Sequence, residues 1–218
     1  MSSPKRPSYL DRIGYQTGLL GGMACMAGAA LVLGNIDTKA DIQLRKAEDL
    51  QASLQQVIPA EMHDNNILEE TLTVDNNGEP LLVYRATKAS KPVAFAYEVV
   101  KPGYSGDITL IMGIDATGKI IGVRVVSHTE TPGLGDKMET AKDDWIFDFD
   151  GLSLGNPAVE QWKVKKDGGQ FDQWTGATIT PRAIVTAVKE GLEMYQQHQQ
   201  LLLEMPEVEV SKEEQPNE

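Results

Sequence analysis

Between Arg12 and Asp37 the chain carries no charged residue, and its centre, Gly18 to Leu33, is almost entirely apolar or small. A bilayer crossing needs about 20 apolar residues, so the pattern predicts a transmembrane helix over 13–36. Lys5, Arg6 and Arg12 precede it, and the positive-inside bias then puts residues 1–12 in the cytoplasm and everything beyond Asp37 across the membrane, in the periplasm of a bacterium. A basic start, an apolar stretch and small residues also make a cleaved signal peptide. That alternative has an apolar core of only about 7–15 residues, and here Ala27-Gly28-Ala29 is followed by more apolar positions, which favours an anchor. Gly18 and Gly22 form a GxxxG, and Gly21, Cys25 and Ala29 a second row of small residues, so one helix face can approach a neighbouring helix closely. A glycine-rich, lipid-facing span is the simpler account of the same residues.

Past Asp37, Ala40, Leu44, Ala47, Leu50 and Leu54 recur at helical spacing, predicting a helix that Pro59 ends. The pattern then changes to short β-rich runs: Leu81–Tyr84, Val93–Val100, Ile108–Ile114 and Ile120–Val126. Asn76-Asn77-Gly78, Pro102-Gly103 and Ala116-Thr117-Gly118 punctuate them, and connections this short predict an antiparallel sheet. Ile108, Leu110 and Met112 alternate onto one face. His128 to Gly135 reads as a loop at a strand end, and Asp136 to Asp143 as a short helix or polar turn. Trp145-Ile146-Phe147 is expected in the core, and Trp162, Val164 and Lys166 on one face of a strand that turns at Asp167-Gly168-Gly169. After Pro181, Ile184, Val185, Val188, Leu192 and Tyr195 form an apolar stripe that predicts a terminal helix buried against the sheet. The whole reads as α+β: a single N-terminal transmembrane helix, then a periplasmic domain over 37–202 with a mainly antiparallel sheet and flanking helices, then an acidic, disordered tail over 203–218.

A chain of 218 residues with 41% hydrophobic content can build one ordinary core. Its formal net charge of -12 and lack of a basic stripe exclude non-specific nucleic-acid binding. The single cysteine, Cys25, excludes an intrachain disulfide or a multi-cysteine metal or iron–sulfur site. His63, His128 and His198 are scattered without metal-ligand spacing, and no metal is expected.

The most informative stretch is Asp172-Gln173-Trp174-Thr175-Gly176-Ala177-Thr178-Ile179-Thr180-Pro181. Thr180 suits an N-cap and Pro181 the first helical position. A helix start of this kind favours an anion, and Gly176 and Ala177 leave the backbone open to a phosphate beside Thr178. These residues resemble the pattern Asp-x-x-Ser/Thr-Gly-Ala-Thr, in which FMN is joined through its phosphate to the last threonine by a phosphoester bond. A second string, His128-Thr129-Glu130-Thr131-Pro132-Gly133-Leu134-Gly135, strengthens the match. Together they resemble the FMN-binding subunits of ion-translocating redox complexes, most of all the G subunits of Rnf-type (Rsx-type) complexes. The C subunits of sodium-translocating NADH:quinone reductases are the close alternative.

The resemblance covers roughly residues 1–200 and implies one covalent FMN per chain, on Thr178, with Thr175, Gly176, Ala177 and Thr180 around its phosphate. It implies that Glu130, Thr131, Leu134 and Gly135 line the flavin, Leu134 covering an apolar face. Asp172 is implied in recognition by a separate flavin transferase. Trp174 departs from the small apolar residue of the pattern and is open to two readings, stacking on flavin or packing at the turn. The function implied is electron relay within a membrane-bound ion-translocating oxidoreductase complex of the bacterial inner membrane, alongside its other subunits and without independent catalytic activity. A membrane-tethered flavin sensor and a flavin-free structural anchor are the rival classes.

Overall fold

The structure, a computed structural model, describes residues 13–76 and 78–204. The predicted cytoplasmic segment 1–12 and all but the start of the predicted tail lie outside the described residues. The chain divides into two units, Met1–Leu50 and Gln51–Glu218.

Helix α1 runs from Ile13 to Val57, so the predicted membrane helix and the helix after it are one. Its first part, Ile13–Val32, has a mean hydropathy of 1.2 and none of it is buried; by length and composition it is apolar enough to cross a membrane. Pro59 has no N–H to continue the ladder, and the last helical bond runs from the Ile58 N–H to the Leu54 carbonyl, 2.8 Å.

The second unit is built on a five-stranded antiparallel meander, β1 (Thr71–Asn76), β2 (Glu79–Lys88), β3 (Lys91–Pro102), β4 (Asp107–Asp115) and β5 (Ile120–Ser127), in sequential order across the sheet. The four predicted runs are β2 to β5. Strand β1 was not predicted; only its Val74 is buried, so its apolar signal is weak, and it is held by its register with β2, Thr71 opposite Tyr84 through Asn76 opposite Glu79. Gly78, at a φ of 90°, turns the chain between them and donates its N–H to Asp75 Oδ1 at 2.7 Å. Leu54, Val57 and Ile58, at the end of α1, are buried in this unit. The Val57 carbonyl lies against Gly113 of β4 so closely that any side chain there would collide with it.

Helix α2 (Ile179–Leu203) covers the sheet with the predicted stripe, and Ile184, Val185, Val188, Leu192 and Tyr195 are all buried. The Tyr97 hydroxyl of β3 donates to the Gly191 carbonyl at 2.8 Å, and Gly191 lets α2 approach Met112. Beside this interface an aromatic cluster fills the rest of the core. Phe149 meets Phe171 at a centroid distance of 4.8 Å and Trp145 edge-on at 5.3 Å, and Trp162 lies 5.2 Å from Phe171.

Two expectations are corrected here. Trp162 to Lys166 is not a strand: short 3-10 turns at Val159–Gln161 and Lys165–Asp167 flank Val164, which bridges to Phe171 in parallel. Gly168, at a φ of 84°, and Gly169, pressed on the Lys163 backbone, double the chain back before a strand can extend. Trp162 and Val164 are buried whereas Lys166 is exposed, so the three do not share a face. Trp145 and Ile146 are core residues, but Phe147 is 37% exposed with the Arg124 guanidinium 4.5 Å from its ring centre; Phe149 fills the core instead.

Candidate functional site

Strand β5 ends at Ser127, and the following loop is closed by its own hydrogen bonds. The N–H groups of Leu134 and Gly135 both donate to the Thr131 carbonyl at 3.1 Å, and Gly133 takes a φ of 79° that few other residues would accept. The loop is tied at both ends. Upstream, His128 Nδ1 accepts the Glu130 N–H at 3.1 Å, which assigns the ring proton to Nε2, 3.0 Å from Glu139 Oε1. Downstream, Lys142 donates to Asp136 Oδ2 at 2.8 Å and to Glu139 Oε1 at 2.7 Å. The Lys142 ammonium is the main reason that both carboxyls lie below their ordinary values; Asp136 in turn is the main reason that Lys142 lies above its own. His128 is thus a hydrogen-bonding frame residue.

The facing wall comes from the turn into α2. Gly176 has a φ of 86°, and the Ala177 N–H donates to the Trp174 carbonyl at 3.2 Å. Trp174 is buried and packs edge-on against Trp145 at 5.0 Å, so of its two readings the structure takes packing. Trp145 Nε1 donates to the Asp172 carbonyl at 3.0 Å, fixing the start of the turn, while the exposed Asp172 carboxylate pairs with Lys165 at 2.7 Å.

The predicted cap is corrected as well. Thr178 occupies the N-cap position, with φ -71° and ψ -26° and no capping hydrogen bond from its side chain, and the helix begins at Ile179. Pro181 is therefore the third helical residue, where its missing N–H is still harmless because the first turn has no intrahelical acceptors. Thr180 cannot cap because it is fully buried and its hydroxyl donates to Glu130 Oε2 at 2.6 Å. Glu130 Oε1 accepts the N–H groups of Tyr104 and Ser105 at 2.7 and 3.0 Å. Burial is the largest influence on this carboxyl and raises its pKa; the Thr180 hydroxyl, the Ser105 and Tyr104 N–H groups and nearby His128 together outweigh it, and the net shift is downward.

The two walls enclose a cleft of about 210 Å³. Glu130, Thr131, Leu134 and Gly135 line one side, and Gly176, Ala177, Thr178 and Thr180 the other. The structure thus brings together eight of the ten residues singled out in the sequence. It leaves Thr175 exposed on the turn, outside the lining, and Asp172 away from it. Tyr104 and Ile179 complete the cleft and were not foreseen. Tyr104 arrives on the β3–β4 connection, and only the glycines at Gly103 and Gly106 hint that this turn packs closely on Glu130 and Thr129.

Chemically, the cleft offers unpaired N–H groups at a helix start, small residues around them, and a half-buried threonine hydroxyl, Thr178, at the same end. Tyr104, Leu134 and Ile179 are 71%, 45% and 45% exposed, an apolar rim suited to a flat ring system. A group with an anionic end and a largely apolar, planar end fits this set.

That combination is what an FMN-binding domain requires, and the family model described as "FMN-binding domain" matches residues 103–193, from the turn before β4 into α2. Over longer spans the chain is 46% identical, across 194 residues, to the G subunit of the ion-translocating oxidoreductase complex of Shewanella loihica, covering 86% of this chain and 92% of the relative. The Cereibacter sphaeroides protein of the same name is 46% identical over 186 residues, 85% of each chain. The chain belongs to the family of G subunits of ion-translocating oxidoreductase complexes. Among solved structures, Shewanella oneidensis NqrC aligns with a TM-score of 0.46 at 21% identity, covering 66% of this chain and 72% of that one. The C subunit of the sodium-translocating NADH-quinone reductase of Parabacteroides distasonis gives 0.47 at 18%, covering 72% and 94%.

Proposed function

We propose that this chain relays electrons within a membrane-bound ion-translocating oxidoreductase complex through one FMN joined by its phosphate to the Thr178 hydroxyl. The observation that carries this reading is the position of Thr178 at the helix end of the cleft, facing the Glu130–Gly135 loop. Bound FMN supplies the redox chemistry; the protein positions it and tunes its surroundings. The first-turn N–H groups of α2 meet the phosphate charge, Gly176 and Ala177 let the backbone come near, and Leu134 and Tyr104 cover the ring and limit water. Thr175 and Asp172 stand outside the cleft, which suits recognition by a flavin transferase better than flavin contact. Residues 13–36 anchor the chain in the inner membrane, with 1–12 cytoplasmic and the flavin domain periplasmic; the basic residues before the span support that orientation. The other subunits of the complex supply the electron donor and acceptor.

Intact-mass measurement of the full chain, made with and without a flavin transferase, tests the proposal. A gain of one flavin phosphate on Thr178, only when the transferase is present, is expected. An unchanged mass in both preparations overturns it.

A further inference from the structure

Both oxygens of Glu130 are committed inside the protein, and their donors come from two other elements. Oε1 accepts the main-chain N–H groups of Tyr104 and Ser105 in the β3–β4 turn, at 2.7 and 3.0 Å. Oε2 accepts the Thr180 hydroxyl of the first turn of α2, at 2.6 Å. Glu130 is only 6% exposed, yet every one of its three partners is a neutral donor, so the carboxylate is held by oriented dipoles and not by a contacting cation. Hydrogen bonds to an ionised acceptor are roughly twice as strong as neutral ones.

Two glycines make room for this arrangement. A Cβ at Gly103 would stand 2.5 Å from Oε1, and one at Gly135 would stand 2.6 Å from Oε2 and 3.0 Å from Thr180 Oγ1. Gly135 has a φ of -88°, which any residue adopts, so it is the carboxylate and not the backbone that requires a glycine there. Five residues thus serve one buried charge.

We infer that Glu130 is the positioning residue of the cleft: its carboxylate locks the helix start that bears Thr178, and the Gly103–Gly106 turn that bears Tyr104, onto the loop, and keeps a fixed negative charge in the wall of the flavin site. The second half of this inference rests on the flavin reading; the lock itself does not. Reduction adds an electron to the flavin, and a nearby fixed negative charge opposes it. The charge therefore lowers the flavin potential while the lock holds Thr178 in place for attachment.

The test uses the full chain in detergent, as parent, Thr180→Val, Thr180→Ser, Glu130→Gln and the double variant Glu130→Gln/Thr180→Val. In flavin-free chains unfolded by urea, the double variant should lose little more than the worse single variant, because Thr180→Val removes a bond that Glu130→Gln has already weakened; additive losses overturn the lock. With a flavin transferase, Thr180→Val should be modified on Thr178 about tenfold more slowly, with Thr180→Ser restored to the parental rate, in keeping with the worth of a hydrogen bond to a charged group. An unchanged rate in Thr180→Val, or no rescue by Thr180→Ser, overturns it. The midpoint potential of loaded Glu130→Gln should shift upward; an unchanged or lower potential overturns the charge. If the parent takes up no flavin, the flavin reading fails, and the urea measurement alone decides the lock.

Discussion

The hydroxyl of Thr180 is bonded to the carboxylate of Glu130 across 50 positions of sequence, at 2.6 Å and out of contact with solvent. It joins the two motifs of this chain directly. The turn into α2 and the Glu130–Gly135 loop are consequently one mechanical unit, and changes on either side are felt on the other.

Thr178 and Thr175 lie three positions apart in the same motif but face different surroundings, one in the cleft and one exposed on the turn. Thr178→Ala is expected to abolish flavin that survives denaturation, whereas Thr175→Ala should keep it. Flavin fluorescence in a denaturing gel separates them; fluorescence retained in the Thr178 variant would refute the attachment site.

Glu130 gives the stability of the flavin-free domain a definite pH dependence. Its folded-state pKa lies below the ordinary 4.5, so the native state favours the ionised form. The resulting stabilisation is complete at pH values above 4.5 and declines as pH falls through the lower folded-state value. Nearby His128 acts in the same direction. Urea unfolding of the parent and of Glu130→Gln should therefore give curves that converge on acidification below that pH, and a gap that widens instead would contradict the assignment.

Gly135 and Gly133 predict two different kinds of damage. Gly135→Ala places a methyl group against Glu130 and Thr180, at a cost of roughly 1–3 kcal/mol for overpacking. Gly133→Ala meets nothing within 4 Å but must hold a φ of 79°, a strain of about 1 kcal/mol. In a Glu130→Ala background, which removes the nearest obstructing atom, the first cost should shrink and the second should not, as measured by urea unfolding.

Leu134 is 45% exposed at the cleft and lies 3.6 Å from where a Cβ on Gly176 would sit, so it closes the gap between the two walls. Leu134→Asp should leave the bond to Thr178 largely intact while changing flavin absorbance and slowing electron transfer. Normal spectra and turnover in the folded variant would make the residue a structural one.

The proposed orientation is checked by protease added outside spheroplasts. Residues beyond Asp37 should be digested and the extreme N-terminus spared; protection of the whole domain would reverse the topology.

The sheet was legible because Ile108, Leu110 and Met112 alternate and three of its four hairpins are marked by glycine, and α2 because Ile184 to Tyr195 repeats at helical spacing. Strand β1 was not, since Val74 is its only buried residue and its place is set by pairing with β2. The cleft residues came from motif resemblance rather than from pattern, and what the motifs left out is non-local. Thr180 next to Pro181 has the local chemistry of a cap, and nothing within several residues reveals that a carboxylate from another segment claims its hydroxyl. Tyr104 reaches the cleft only through the register of β3 with β4, and Trp162 to Phe171 forms paired turns because two glycines reverse the chain.

Leu54, Val57 and Ile58 are fully enclosed by the second unit, and Val57 sits where Gly113 has no side chain. The boundary between the two units thus falls inside a helix and not at a loop. For anyone trimming the protein to a water-soluble piece, the last two turns of α1 are part of what must be kept: a fragment begun at Ala60 would uncover a greasy notch over Gly113, whereas one begun at Gln51 carries its own stopper.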